Sequence, residues 1–176
     1  MIWLSLVAFV VAALAAGGVV RWMRGHAANY ADGMPQRFHF GDIPRLGGAA
    51  LLLGLASSWV LGMVQTAFLG DPGSVNMGSW VGGWLMVLLP SAVGGIAEDM
   101  TQRLRVHYRL GLTALSGVLA VAVLGLTVSR LGWPWLDELL RLLPWLGWGL
   151  VLLAVTGLPH AFNIIDGYNG LAGMVA

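Results

Sequence analysis

Five stretches of this chain, Met1–Val20, Leu46–Gly70, Pro72–Ala97, Leu110–Ser129 and Leu142–Pro159, contain no charged side chain. A helix of about 20 apolar residues crosses roughly 30 Å of hydrocarbon and bonds its own backbone groups there. The chain therefore reads as an all-α, polytopic integral membrane protein. Its spans fall at about 1–20, 47–69, 80–97, 110–129 and 142–159, and a sixth apolar run starts near 168, all within one membrane domain, 1–176. With 58% hydrophobic residues, 10% charged residues and a mean hydropathy of +0.80, a soluble domain is excluded. A net charge of +1 gives no basis for a nucleic-acid partner, and the absence of Cys removes any disulfide argument.

Arginine sets the orientation, since all nine basic residues are Arg. Odd-numbered spans deliver their following polar stretches to one side of the membrane. The first two of these carry Arg21, Arg24, Arg37, Arg45, Arg103, Arg105 and Arg109; the opposite side carries Arg130 and Arg141. Seven against two places the first group in the cytoplasm and the N-terminus outside. Ala13-Leu14-Ala15 is compatible with a signal-peptidase site, but no basic residue precedes the apolar run, so an uncleaved first helix is expected. Trp3, Trp80, Trp84, Trp133, Trp135, Trp145 and Trp148 then gather near the outer interface, where indole rings prefer to sit. Between the fourth and fifth spans, Leu136, Leu139, Leu140 and Leu143 recur at helical spacing, and Asp137 stands four before Arg141. That pattern predicts a short helix lying in the interface, with Asp71, Asp137 and Glu138 structural.

Three polar clusters share the cytoplasmic side: Arg37, His39 and Arg45; Glu98 and Asp99; and Asn163, Asp166 and Asn169 interleaved with Gly167 and Gly170. Carboxylates with amides beside them, and glycines that admit close backbone approach, suit a hard cation carrying phosphates. Arginine suits phosphate through its fixed fork of donors. Taken singly each cluster has a plainer meaning: topology determinants, a solvated helix end, a turn. Their convergence on one leaflet is what points to chemistry.

Three motifs resemble the polyprenyl-phosphate N-acetylhexosamine-1-phosphate transferases. Asp32-Gly-Met-Pro35-Gln-Arg37-Phe-His39, running on to Ile43-Pro44-Arg45-Leu-Gly47-Gly48, is similar to that family's first cytoplasmic loop. Gly95-Ile-Ala-Glu98-Asp99 resembles the acidic pair ending its third helix, and Asn163-Ile-Ile-Asp166-Gly167-Tyr-Asn169-Gly170-Leu171-Ala172 its most diagnostic motif. Three positions depart: the family usually has Asp at Glu98, commonly Asn at His160, and often Asp at Asn169.

The resemblance implies transfer of N-acetylhexosamine-1-phosphate from a UDP-N-acetylhexosamine to undecaprenyl phosphate at the cytoplasmic face of a bacterial inner membrane. UMP is released, and a lipid-linked cell-envelope glycan is begun, with lipopolysaccharide O-antigen, capsule and teichoic-type pathways all open. Mg²⁺ is the implied cofactor, with Mn²⁺ as an alternative; the bilayer is a partner and a homodimer is left open. Asn163 and Asp166 are the implied metal ligands, and Asp99, Glu98 and Asp166 the implied catalytic carboxylates. Arg37, His39, Arg45, Gly167, Asn169 and Gly170 are the implied substrate contacts. Members of the family continue further, with another cytoplasmic Asp and a basic, His-containing loop. The chain is accordingly expected to be an N-terminal portion without transferase activity by itself. An inactive scaffold of the same fold is the chief alternative. A transporter segment fits less well, because the ionisable groups stand at helix feet and not at mid-membrane.

Overall fold

The computed structural model describes residues 2–23, 25, 44, 46–69, 77–101 and 103–165, with backbone alone at 69, 77, 79 and 163–165. Among these residues there are six helices and no strand: α1 (Ile2–Trp22), α2 (Gly47–Leu69), α3 (Met77–Thr101), α4 (Val106–Leu124), α5 (Pro134–Leu142) and α6 (Pro144–Ile165). All but α5 are long and apolar enough to cross a membrane. The shortest of the five, α4, has 19 residues, or about 28 Å at the helical rise.

Each span packs on its neighbour in the series: α1 on α2, α2 on α3, α3 on α4 and α4 on α6, with α5 resting on α6. Among the described residues the spans therefore form an antiparallel row in which α4 is flanked by α3 and α6. The α3–α4 seam keeps one register along its length. Gly83 lies against Leu124, Val87 clusters with Ala120, Ser91 faces Ser116, Gly94 lies against Leu112, and Glu98 meets Arg109. On α3 these positions step by three or four residues, the spacing that keeps one stripe facing a partner helix. Most are small, as expected where lipid removes the hydrophobic drive and helices associate by close approach. The polar pair in the seam is satisfied internally: Ser91 donates both its hydroxyl, at 2.7 Å, and its backbone N–H, at 3.2 Å, to Ser116 Oγ. That N–H follows Pro90, which has no N–H of its own to give to the helix.

The α4–α6 seam is equally close. A Cβ added at Gly117 would stand 2.8 Å from Leu152 Cδ1 and 3.4 Å from its Cα, so glycine permits this separation. Val87, Ala120 and Val151 form the buried centre shared by α3, α4 and α6, with Leu119, Leu124 and Val155 packed around it.

Helix ends depart from the positions that hydropathy suggests. α4 begins at Val106 and not at Leu110, taking His107, Tyr108 and Arg109 into its first turn. It ends at Leu124 and not at Ser129, because Gly125 adopts a left-handed φ of 65°. The Gly125 amide closes on the Val121 carbonyl, the bond of an αL cap, and the Leu126 amide on that of Ala120. α3 runs on to Thr101 and not only to Ala97, and α6 continues through Pro159 to Ile165, so Asn163 is helical. A prolyl residue removes one backbone bond, which a membrane helix packed on a neighbour tolerates.

The short helix α5 forms where its leucine spacing placed it, with Pro134 in its first turn. Its ion pair is different from the expected one. Arg141 donates to Glu138 at 2.9 Å from Nε and 2.5 Å from Nη2, and not to Asp137. Asp137 Oδ1 instead accepts the backbone amides of Leu131, at 2.6 Å, and Gly132, at 3.2 Å, fixing the turn before the helix. Fork-shaped pairing with Arg141 holds the Glu138 carboxyl below its usual range. Among the tryptophans, Trp80 makes edge contacts with Trp84, at 5.9 Å, and with Trp59 of α2, at 6.2 Å, so it joins α3 to α2.

Candidate active site

Antiparallel packing brings the end of α3, the start of α4 and the end of α6 to one side of the row. Glu98 is in the last turn of α3 and Arg109 in the first turn of α4. Each stands at the helix end where the macrodipole disfavours its own charge. They offset each other: Arg109 Nη1 lies 3.7 Å from Glu98 Oε1, with side chains 21% and 29% exposed. The second oxygen, Glu98 Oε2, is buried and has no hydrogen-bond partner among the described residues. A carboxylate oxygen in that condition is costly and calls for a donor or a cation.

Asp99 is partly buried and is itself engaged. One residue along a helix is a rotation of about 100°. With Glu98 directed into the α3–α4 seam, Asp99 issues from a different face. The two neighbouring acids therefore occupy different surroundings.

One turn beyond Arg109, the hydroxyl of Thr113 lies 3.1 Å from the Arg109 carbonyl and 3.0 Å from that of Leu110. A hydroxyl has one hydrogen to share among its neighbours. The Thr113 oxygen also sits 3.3 Å from His160 Nε2 of α6, a hydrogen bond whose donor is set by the imidazole tautomer. Asn163 follows three positions later on the same helix, and residues three apart share a face. Successive turns of α4 thus contact the acidic end of α3 and the turn of α6 that leads into Asn163.

Of the residues singled out from the motifs, Glu98 and Asp99 are fully described and Asn163 is described in backbone. Arg37, His39, Arg45, Asp166, Gly167, Asn169 and Gly170 lie outside the described residues. Among the described residues no group of three His, Cys, Asp or Glu side chains could hold a metal ion.

Residues 81–176 match the family model described as Glycosyl transferase family 4. The chain belongs to this family. The matched region takes in Glu98, Asp99, Arg109, Thr113, His160 and Asn163, so the whole described cluster falls within the glycosyl transferase family 4 portion. The chain is 30% identical over 172 residues to a phospho-N-acetylmuramoyl-pentapeptide-transferase of Synechococcus sp. (strain JA-3-3Ab), covering 89% of this chain and 44% of that protein. It is 27% identical over 140 residues to a probable undecaprenyl-phosphate N-acetylglucosaminyl 1-phosphate transferase of Bacillus subtilis (strain 168), covering 78% and 34%. The chain thus spans less than half the length of these curated relatives. No solved structure matches it.

Motif reasoning did not single out Arg109, Thr113 or His160 as site residues. Arg109 counted only toward orientation, and His160 only as a departure from the family pattern. One signal was available: Arg109 and Thr113 are four apart, hence on one face of a helix, once Val106–Arg109 is recognised as helical.

Proposed function

We propose that the complete protein transfers N-acetylhexosamine-1-phosphate from a UDP-sugar to undecaprenyl phosphate at the cytoplasmic face of a bacterial inner membrane, starting a lipid-linked envelope glycan. Family membership and the names of the two relatives support the reaction class. The observation that carries the reading is the gathering of Glu98, Asp99 and the last turn of α6 at one end of the row, referenced to each other through α4. The arginine asymmetry supports the cytoplasmic side for that end.

In the proposed step an oxygen of the lipid phosphate attacks the β-phosphorus of the UDP-sugar. A new P–O bond forms, the bond from that phosphorus to the bridging oxygen breaks, and UMP leaves with the electron pair. A phosphate monoester has its second pKa near ~6, so it is largely dianionic at neutral pH and proton removal is a minor part of the step. The larger task is to hold two anions together in line. Asp99 accepts the proton of the monoanionic acceptor phosphate and orients it through that hydrogen bond, while Glu98 holds Arg109 at the rim of the site. Arg37, His39 and Arg45 meet phosphate, and Gly167, Asn169 and Gly170 meet the nucleotide sugar.

The donor set suits a hard cation: Asn163 and Asp166 would hold it, and the orphaned, buried Glu98 Oε2 is the kind of oxygen it satisfies. Mg²⁺, or Mn²⁺ in its place, supplies neutralisation of the pyrophosphate charge when bound.

The test is UMP release by the complete protein with undecaprenyl phosphate, Mg²⁺ and a panel of UDP-N-acetylhexosamines. Turnover with one donor, lost at least ~100-fold in Asp99→Asn, is the expected result. A variant turning over at the wild-type rate removes Asp99 from the mechanism. Silence with every donor from folded protein shifts the reading to a scaffold or to a donor outside the panel.

A further inference from the structure

We infer that the Thr113–His160 hydrogen bond is a positioning contact that fixes the last turn of α6, and with it Asn163, against the acidic end of α3. The inference rests on the transferase reading for its functional consequence, but its structural content stands apart from it.

Several observations converge on this contact. Thr113 is 8% exposed, and its hydroxyl stands between the carbonyls of its own helix and His160 Nε2 across the α4–α6 seam. His160 directly follows Pro159. Pro159 gives no N–H to the helix, so the Val155 carbonyl lacks its usual partner and α6 is weakest in the turn that ends at His160. A side-chain bond to the neighbouring helix just past that point ties down the turn that the backbone holds least. Beyond it, Asn163 stands one turn further on. On the other partner, Thr113 stands one turn from Arg109, whose guanidinium pairs with Glu98. α4 therefore acts as a ruler: one turn registers α3, the next registers α6. His160 and Thr113 need not touch substrate. They act through the placement of Asn163, and so are positioning residues.

The experiment compares Thr113→Val, Thr113→Ser, His160→Leu and wild type in two measurements on the complete protein in proteoliposomes. Spin labels at Arg103→Cys and Ala161→Cys, both exposed positions in a chain without native Cys, report the distance between the α3–α4 turn and the end of α6, with any Cys outside this chain replaced by Ser. The expected result is one narrow distance distribution for wild type and Thr113→Ser, and a broadened or shifted one for Thr113→Val and His160→Leu. In UMP release, Thr113→Val is expected to lose about tenfold in kcat, the scale of one hydrogen bond, with KM for the lipid little changed. Thr113→Ser is expected within about threefold of wild type, and the Thr113→Val/His160→Leu double variant no slower than either single. Melting temperature is followed in parallel; His160→Leu preserves the test where Thr113→Val fails to fold. An unchanged distance distribution in Thr113→Val overturns the inference, as does a wild-type kcat for it. A wild type silent with every donor bears on the transferase reading alone, and the label distances then decide the clamp.

Discussion

Gly117 is the position at which a single methyl group tests the α4–α6 seam. In Gly117→Ala the new Cβ would meet Leu152 Cδ1 at 2.8 Å and Leu152 Cα at 3.4 Å. Carbon atoms at ease sit about 3.5–4.0 Å apart. The first conflict involves the tip of a flexible side chain, which can rotate away. The second involves backbone and asks for only a few tenths of an ångström. Alanine is also favoured over glycine inside a helix by about 1 kcal/mol. Gly117→Ala is therefore expected within about 1 kcal/mol of wild type, the two effects nearly offsetting. Gly117→Val places γ-methyls further into the seam, where Leu152 backbone cannot yield. The helices must part, at the ~1–3 kcal/mol typical of overpacking. A separation of about half an ångström also takes the 3.3 Å Thr113–His160 contact past hydrogen-bond range. Thermal unfolding in micelles, followed by the intrinsic fluorescence of the nine tryptophans, measures the first effect, and UMP release the second. A Gly117→Val protein that melts with Gly117→Ala and keeps full turnover would refute the close-seam reasoning.

The remaining predictions concern the polar contacts. Arg109→Met leaves Glu98 partly buried without its cation and is expected to cost about 1–3 kcal/mol, between the exposed and buried regimes; adding Glu98→Gln should recover part of it in a micelle unfolding titration, and equal stability of all variants would show the pair to be idle. Asp137→Ala removes the acceptor for two amides and is expected to speed hydrogen exchange at Leu131 and Gly132, with exchange in α4 unaltered. Glu138 has its pKa lowered by the Arg141 hydrogen bond, so its pairing is fully present above the ordinary glutamate range and is lost as pH falls through the lowered folded value. Carboxyl NMR should show that titration moving up in Arg141→Gln, and an unmoved midpoint would contradict the pairing.

The number and approximate place of the spans were legible because hydrocarbon admits so few solutions: an uncharged run of the right length must be a helix. Their ends were not. Gly125 stops α4 through a backbone angle, and Val106–Arg109 joins it although the turn carries charge, since a helix foot at the interface tolerates arginine. Arg141 had two acids within helical reach; which one it took depended on the loop amides that claimed Asp137.

The acidic pair and the Asn163 motif could be recognised from residue order alone, and so could the family they resemble. What the chain itself could not tell is which faces meet. In a soluble helix an apolar stripe marks the buried face, but in a membrane the lipid face is apolar too, and periodicity loses its meaning. The stripe of Gly83, Val87, Ser91, Gly94 and Glu98 becomes a seam only when α4 is laid against it. The same holds for Thr113 and His160, separated by 47 residues and joined by one hydrogen bond. Composition determined that this chain lives in a bilayer as five spanning helices; packing decided that Glu98 faces Arg109 and that α4 carries the register from α3 to α6. The physical reason is that burial in lipid is a property of each segment alone, whereas a polar contact needs its partner in place.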